Sequence, residues 1–433
     1  MKDLNVSYIP PERLLAYTGN ARQHSAAQIA QLVKSIKAFG FMNPVIVDAD
    51  DHLIAGHGRL IAAKKLGLSN VPVIRVEHLD EAQCRAYMLA DNKIAENATW
   101  DKDLLRVELE YLMHADINFD TEQIGFSTPE VNLLFEPSRE AEPPAVEPPA
   151  ALEDAVTRPG DLWLLGEHRL LCCDCRDPNA MDRLFRLDTA RVVLTDPPYN
   201  VPIAGHVSGL GKNHHAEFAM GAGEMSEREF VGFLQQALGS MSSRCSDGAL
   251  LYAFMDWRHI DQLLAAGRAN DLALLNVCVW VKTNAGMGSL YRSQHELVGV
   301  FKTGTEPHVN NVELGKHGRY RTNVWSYAGM NTFGSGRDDA LAAHPTVKPV
   351  AMFRDAIADA SRPGEIVLDG FLGSGTTLLA AHQVRRRCYA LEIDPRYVDV
   401  AVNRWQYLSG GEAVHADSGL SFDELSAQRA GGK

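Results

Sequence analysis

Asp196-Pro197-Pro198-Tyr199 closes the apolar run Arg191-Val192-Val193-Leu194-Thr195. An acidic side chain, two rigid residues and an aromatic ring thus stand where a strand gives way to a loop. The combination suits a pocket for a planar ring that carries an amine. The carboxylate accepts a hydrogen bond from an exocyclic NH2, and the prolines fix φ and donate nothing. Their carbonyls remain free for the second amine proton, and Tyr199 offers a stacking face. Four residues alone also fit a Pro-Pro turn beside a core tyrosine, so the weight rests on a second motif further along the chain.

That motif is Val367-Leu368-Asp369-Gly370-Phe371-Leu372-Gly373-Ser374-Gly375-Thr376-Thr377. A strand ends in Asp369, a glycine-rich turn comes next, and a helix starts near Thr376. Glycines let backbone approach a ligand closely, and a helix N-terminus favours a carboxylate or phosphate. No lysine precedes Thr376, so this is no Walker loop, and the spacing is not a strict dinucleotide fingerprint. The next strand ends in Glu392, where an acidic residue can hydrogen-bond ribose hydroxyls. Strand, glycine turn, helix, strand and acid together predict a nucleoside-containing cofactor; a purely structural glycine turn is the alternative.

These residues need a frame. Strands are predicted at 162–165, 169–173, 192–195, 249–254, 277–282, 297–302, 366–368 and 388–392, with helices at 177–185, 227–238, 260–266, 350–360, 376–383 and 396–407. Such alternation predicts an α/β fold with a doubly wound, mainly parallel sheet and ligands at the carboxyl ends of its strands. Ahead of it, helices at 25–39, 60–66, 81–89 and 102–113 and strands at 45–47 and 71–76 read as a smaller mixed α/β domain. Residues 136–158, rich in Pro, Glu and Ala, read as a solvated linker between residues 1–135 and 159–410; residues 411–433 read as a flexible tail.

The 433 residues, 45% of them hydrophobic, suffice for two or three domains. No apolar run approaches the length of a membrane helix, and MKDLNVSYIP lacks the apolar core of a signal peptide. Seven scattered cysteines read as reduced thiols of a cytoplasmic protein. The Cys172-Cys173-Asp174-Cys175 cluster has no second pair at metal-ligand spacing, so no metal is expected. The net charge of −13 counts against a nucleic-acid partner, but residues 258–337 run slightly positive and leave room for a salt-sensitive contact with phosphate.

In order along the chain, Asp196-Pro-Pro-Tyr199, His344-Pro-Thr-Val-Lys-Pro349 and Asp369-Gly-Phe-Leu-Gly-Ser-Gly375 resemble the β-type S-adenosylmethionine-dependent amino-methyltransferases of DNA, over about residues 159–410. The resemblance implies a Rossmann-like methyltransferase fold, S-adenosylmethionine as cofactor without a metal, and double-stranded DNA as substrate. It implies catalysis by Asp196, Pro197, Pro198 and Tyr199. It further implies cofactor contacts from Asp174, His344, Thr346, Lys348, Asp369, Phe371, Gly373, Ser374, Gly375, Thr376 and Glu392. Among these, Phe371, Gly373 and Gly375 would line the methionine end, Glu392 the ribose and Asp174 the adenine; Cys173 stands where the family usually has glycine before that Asp.

Two acceptors, the Asp196 carboxylate and the Pro197 carbonyl, can draw an amine lone pair out of conjugation toward an electrophilic methyl group. The base must leave the duplex to reach them, and the transfer is then a direct displacement helped by positioning. Attack through cytosine C5 would need a cysteine in a Pro-Cys motif, and no cysteine follows a proline. Asp rather than Ser at position 196 points, within the family, to adenine N6 over cytosine N4. Target recognition is expected within about 200–343, with DNA contacts from Lys282, Arg292, Lys316, Arg319 and Arg321. Within it, 205–223, with His206, His214 and His215, reads as a loop that orders over substrate.

Asn20-Ala-Arg22, Gly56-His57-Gly58-Arg59 and Asp91-Asn-Lys-Ile-Ala-Glu96 resemble the ParB/sulfiredoxin-type nuclease-like domain over about residues 4–110. The resemblance implies a nucleotide- or DNA-handling loop at Arg22, Gly56, His57 and Arg59. Only one of the family's paired arginines is kept and no loop cysteine is present, which speaks against nucleotide hydrolysis and redox chemistry. The helix-turn-helix that follows this domain in partition proteins is not expected here. The chain therefore reads as a cytoplasmic adenine-N6 DNA methyltransferase of bacterial or phage restriction-modification type, with a nucleotide at the N-terminal domain and a homodimer as further expectations. An N4-cytosine enzyme and a ParB-like partition or nucleotide-switch protein are its rivals.

Overall fold

Valine and leucine in unbroken runs, rather than in alternation with polar residues, are the mark of strands covered on both faces. The computed structural model, which describes residues 4–17, 20–114, 121–135, 155–201, 223–283, 290–312, 314, 321–327 and 348–430, shows this arrangement in the larger of two units. The units are residues 1–135 and 136–433.

In the first unit β1 (Val6–Ile9), β2 (Val45–Val47), β3 (Leu53–Ala55) and β4 (Val71–Arg75) form a sheet in the order β1-β4-β2-β3. Helix α1 (Ala26–Phe39) is capped by Ser25, whose Oγ accepts from Gln28 N at 3.1 Å, and it stops at Gly40 with φ +81°. Helices α2 (His57–Leu66), α3 (Glu81–Glu96), α4 (Lys102–His114) and α5 (Thr128–Phe135) come after it. Ile9, Leu14, Val45, Val47, Leu60, Val71 and Val73 form the core. Helix α3 outruns the expected 81–89 because an Asp80–Gln83 capping box starts it and no Gly or Pro interrupts it before Asn97.

The second unit holds β5 (Leu162–Leu165), β6 (His168–Cys172), β7 (Ala190–Thr195), β8 (Cys245–Met255), β9 (Ala273–Val281), β10 (His295–Lys302), β11 (Val324–Ser326), β12 (Ile366–Asp369), β13 (Arg387–Glu392) and β14 (Ala413–His415) in one sheet. Their order is β11-β9-β10-β8-β7-β12-β13-β6-β5-β14. The centre, β8-β7-β12-β13-β6, is parallel throughout, while β10 and β5 run antiparallel at its flanks. Helices α6 (Pro178–Phe185), α7 (Glu227–Ser242) and α8 (Ile260–Ala269) cover one face, packing Met181, Phe230 and Leu263 with Val193 and Leu251. Helices α9 (Val350–Ala360), α10 (Thr376–Gln383) and α11 (Pro395–Ser409) cover the other, packing Phe353, Leu378 and Val398 with Val192 and Leu194. This is a doubly wound, mainly parallel sheet, as the alternation of elements predicts.

The flexible tail expected beyond residue 410 is not found. Strand β14 pairs with β5, and α12 (Phe422–Ala430) places the Phe422 ring 5.2 Å from Trp163 and Arg429 Nη1 2.5 Å from Asp161. A three-residue strand has no readable period, and α12 turns only Phe422 and Leu425 inward, so composition alone suggests solvent. Residues 136–154 of the expected linker and 205–222 of the expected recognition loop lie outside the described residues. No helix among the described residues is long and apolar enough to cross a membrane.

Candidate active site

The parallel order β7-β12-β13-β6 brings four strand ends, far apart in sequence, to one edge of the sheet. Asp196 follows β7, the glycine turn follows β12, Glu392 ends β13 and Asp174 lies just past β6. The motif and the turn are joined at their roots: Thr195 Oγ1 donates to Asp369 Oδ1 at 2.8 Å. Asp369 also accepts from Phe371 N at 3.0 Å and Thr377 Oγ1 at 2.5 Å. Expected as a cofactor ligand, Asp369 is instead enclosed by three protein donors and shapes the turn. Burial pushes its carboxyl up to about 6 against those donors.

The turn requires its glycines. Gly373 and Gly375 have φ of +54° and +93°, and a Cβ on Gly375 would lie 3.0 Å from Ala401 Cβ. Ser374 is buried, its carbonyl accepting from Arg404 Nη1 at 2.6 Å; Thr376 is buried at the start of α10. Phe371 lies half-buried with its ring 5.8 Å from Phe233. Glu392 accepts from Gly373 N at 2.7 Å and Asp394 N at 2.9 Å, one bond to each oxygen, so each keeps a lone pair for a hydroxyl donor. Burial, opposed by those two N–H groups, pushes it up to about 7. Asp174 pairs with Arg176 at 2.6 Å, and that guanidinium lies 5.0 Å from the Phe233 ring centre. Buried carboxylate, partly open carboxylate, aromatic faces and a helix N-terminus form a donor and acceptor set that fits an amino-acid-bearing nucleoside.

Around Asp196 the structure adds residues from distant elements. Lys348, just before α9, is 4% exposed and places Nζ 2.5 Å from Asp196 Oδ2 and 3.2 Å from Glu296 Oε2. The Tyr199 hydroxyl lies 2.7 Å from Asp196 Oδ1 and 2.9 Å from Glu296 Oε2. Lys282 Nζ is 2.5 Å from Glu296 Oε1. Asn200, in the left-handed region at φ +53°, is clamped to Met225 by two hydrogen bonds and turns the chain sharply after the motif. Burial, resisted by Lys348 and reinforced by Glu296, pushes the Asp196 carboxyl up. Burial acts on Glu296 in the same sense, but Lys348 and Lys282 overcome it and hold that carboxyl at about 2.

Lys348, expected at the cofactor, thus stands at Asp196; His344 and Thr346 of the same segment lie outside the described residues. Of the residues expected to touch DNA, Lys282 turns to Glu296, Arg292 is exposed just before β10, and Lys316 and Arg319 lie outside the described residues. Arg321 is a correction: its guanidinium donates to Asp359 at 2.8 Å and to the Tyr327 hydroxyl at 2.7 Å, and lies 3.3 Å from Asp355. Two carboxylates and a hydroxyl hold it against the fold, with Nη2 buried and without a hydrogen-bond partner among the described residues, so the guanidinium is turned inward rather than presented to a phosphate. Replacing Arg321 by alanine is expected to cost about 3 kcal/mol of stability, since it leaves two partly buried carboxylates facing each other. The salt dependence of DNA binding should not change; a shallower salt slope in Arg321→Ala would restore the DNA contact. Glu296 closes the stretch from Trp280 to Glu296, whose sequence resembles a family stretch around the catalytic pocket, but no role for its side chain is readable beforehand because a lone acid in a strand carries no pattern of its own.

In the first unit Gly56, at φ +97°, caps α2, and a Cβ on Gly58 would lie 2.9 Å from Leu32 Cδ1. Arg59 Nη2 donates to the Pro44 carbonyl at 3.3 Å, and Arg22 pairs with Glu96 at 2.6 Å. Burial, with His24 nearby, lowers the His57 imidazole.

Residues 190–403 match the family described as DNA methylase, and residues 2–92 match the ParB N-terminal domain. The chain belongs to the N6/N4 DNA methylase family, with a ParB N-terminal domain ahead of the methylase. Residues 103–159 match the ParB-methyltransferase HTH domain, which overturns the expectation that no helix-turn-helix follows. Helices α4 and α5 lie in that stretch, and the short α5 carries too little periodicity to be read beforehand. The chain is similar to the ParB-like nuclease domain-containing protein YnaK of Escherichia coli K12, at 49% identity over 80 residues, 18% of this chain and 92% of that one. It is similar to the type II methyltransferase M.HpaI of Haemophilus parainfluenzae, at 23% identity over 256 residues, 55% of this chain and 74% of that one. Among solved structures, the M1.HpyAVI-SAM complex aligns at 20% identity with TM-score 0.38, over 54% of this chain and 98% of that one. The cytosine-N4-specific PvuII DNA methyltransferase aligns at 15% identity with TM-score 0.42, over 65% and 93%.

Proposed function

We propose that this methylase transfers a methyl group from S-adenosylmethionine to the exocyclic N6 of adenine in double-stranded DNA, in the cytoplasm. The observation that carries the reading is the Thr195–Asp369 hydrogen bond of 2.8 Å, which fastens the Asp196 amine acceptor to the glycine turn of the neighbouring strand. Acceptor and cofactor cradle are thereby held side by side. S-adenosylmethionine supplies an electrophilic methyl group when bound. The chain's own residues do the rest: Asp196 and the Pro197 carbonyl orient the amine, Tyr199 stacks the flipped base, and the turn and Glu392 hold the cofactor. Asp at position 196 supports adenine over cytosine. Arg292, Lys316 and Arg319 are the proposed DNA contacts.

For the ParB-like unit the proposal is DNA handling with a bound nucleotide at the Gly56–Arg59 turn. It is supported by two buried polar atoms there, His57 Nε2 and Arg59 Nε, that have no hydrogen-bond partner among the described residues.

Incubation with labelled S-adenosylmethionine and unmethylated DNA, followed by digestion to nucleosides, tests the main reading. Label in N6-methyladenine is expected; label in N4-methylcytosine would replace adenine by cytosine, and unlabelled DNA would defeat the proposal. A second expectation concerns pH. Ribose hydroxyls are held best by ionised Glu392, whose carboxyl is raised to about 7. Affinity for S-adenosylmethionine should therefore tighten as pH rises through that value, and the dependence should flatten in Glu392→Gln. Calorimetric titration measures both; an unchanged pH profile in the variant would remove Glu392 from the cofactor site.

A further inference from the structure

Both oxygens of Asp196 are engaged before any base arrives. Oδ1 faces the Tyr199 hydroxyl at 2.7 Å and Oδ2 accepts from the Lys348 ammonium at 2.5 Å. The same Nζ lies 5.4 Å from the centre of the Tyr199 ring, the face assigned to the target base. A buried cationic amine therefore stands where the proposed reaction requires a neutral one, on the same carboxylate and over the same ring. The two compete for Asp196. Lys348 also has a second acceptor within reach, Glu296 Oε2 at 3.2 Å.

We propose that Lys348 is the built-in occupant of the amine subsite and is handed from Asp196 to Glu296 when the exocyclic amine of the base enters. The proposal rests on the reading of Asp196 as the amine acceptor. The handover leaves the charges of the pocket unchanged: Asp196, Glu296, Lys348 and Lys282 stay together, with Tyr199 between the carboxylates and Asp369 hydrogen-bonded to Thr195 behind them. Its consequence is selectivity, because a base without an exocyclic amine has no NH2 group to offer in exchange for the ammonium. Lys348 is thus a positioning residue that acts through Asp196, and Glu296 is its alternate partner.

The test uses the full chain, duplex DNA carrying the site that sequencing of methylated product reveals, and four variants checked for cofactor binding and thermal melting. Glu296→Gln strands the ammonium on Asp196 and should lower kcat/KM for DNA at least tenfold. Adding Lys348→Met to that variant should recover at least threefold. Lys348→Met alone should shift the acid limb of the kcat/KM profile to higher pH, because the buried carboxylate beside Glu296 has lost its cation. Lys348→Arg keeps the charge and grips both carboxylates, so it should leave that limb in place while lowering kcat/KM. Glu296 and Lys348 effects that multiply in the double variant, or Glu296→Gln with wild-type kcat/KM, overturn the handover. Should Lys348→Met fail to fold, a Lys348→Arg enzyme as fast as wild type overturns it equally. A wild-type chain that methylates no DNA overturns instead the reading beneath it.

Discussion

Replacing Asp196 by alanine should reduce methyl transfer to DNA by about 10²- to 10³-fold, the cost of removing one preorganised polar group from a desolvated site, about 3–4 kcal/mol. The reason lies in the amine. Its lone pair is conjugated with the ring, and the Asp196 carboxylate is the acceptor proposed to draw it toward the methyl group. No neighbour replaces it: Glu296 is held between Lys282, Lys348 and Tyr199. The variant should fold, because Lys348 keeps Glu296 at 3.2 Å as a partner. Cofactor affinity should be nearly unchanged, since the turn is organised by Asp369 and Glu392. Single-turnover methylation with matched cofactor titration separates these effects. A variant that still methylates near the wild-type rate would show that Asp196 is not the amine acceptor.

The second large effect is on stability. Asp369→Ala removes the acceptor of Thr195 Oγ1, Phe371 N and Thr377 Oγ1, two of these side chains being almost fully buried. Each stranded donor costs about 1–3 kcal/mol, so a loss of about 3–6 kcal/mol is expected, a large share of the ~5–15 kcal/mol that holds a typical domain. Asp369→Asn keeps one oxygen for Thr195 and Phe371 N, and the Thr377 hydroxyl can rotate to accept from the amide; about 1 kcal/mol is expected there. The two also differ in pH dependence. The wild-type carboxyl, raised to about 6, keeps its proton in the folded chain while the unfolded chain has already lost it. This group's contribution to stability therefore falls as pH rises from about 4 to about 6 and is flat above. Asp369→Asn abolishes that component, so its cost relative to wild type should shrink across the window. Urea unfolding at several pH values, followed by tryptophan fluorescence, measures it; a constant difference would mean that the carboxyl is ionised throughout.

Much of the fold and the site is legible along the chain. The all-apolar strands, the helices between them and the strand–glycine–helix boundary at residues 366–376 are short-range patterns, set by neighbouring residues and backbone preference. The Asp-Pro-Pro-Tyr motif is equally local as a pattern, although its reading as an acceptor and a stacking face leans on the glycine turn further along the chain. Long polar side chains are less legible. Lys348 and Arg321 each have several partners within reach, and only packing selects among them. Arg321 reads as a phosphate contact because it lies in a basic stretch, yet α9 presents Asp355 and Asp359 to it. The last strand and helix escape a reading by pattern because their stability comes from Trp163 and Asp161, some 250 positions earlier, rather than from any periodicity of their own.

The sequence by itself determined the chemical vocabulary: a carboxylate, two prolines and an aromatic ring, a glycine turn and an acid one strand beyond, in an order that identifies the family. The tertiary structure alone decided who meets whom. Strand order set β7 beside β12 and so tied Thr195 to Asp369 across 174 positions. It also brought Lys348 to Asp196 across 152 positions. Such contacts depend on the register of strands that are distant in sequence, and no local pattern encodes that register. The proposed amine pocket is therefore legible as a motif, but the Lys348 ammonium on Asp196 is visible only in the fold.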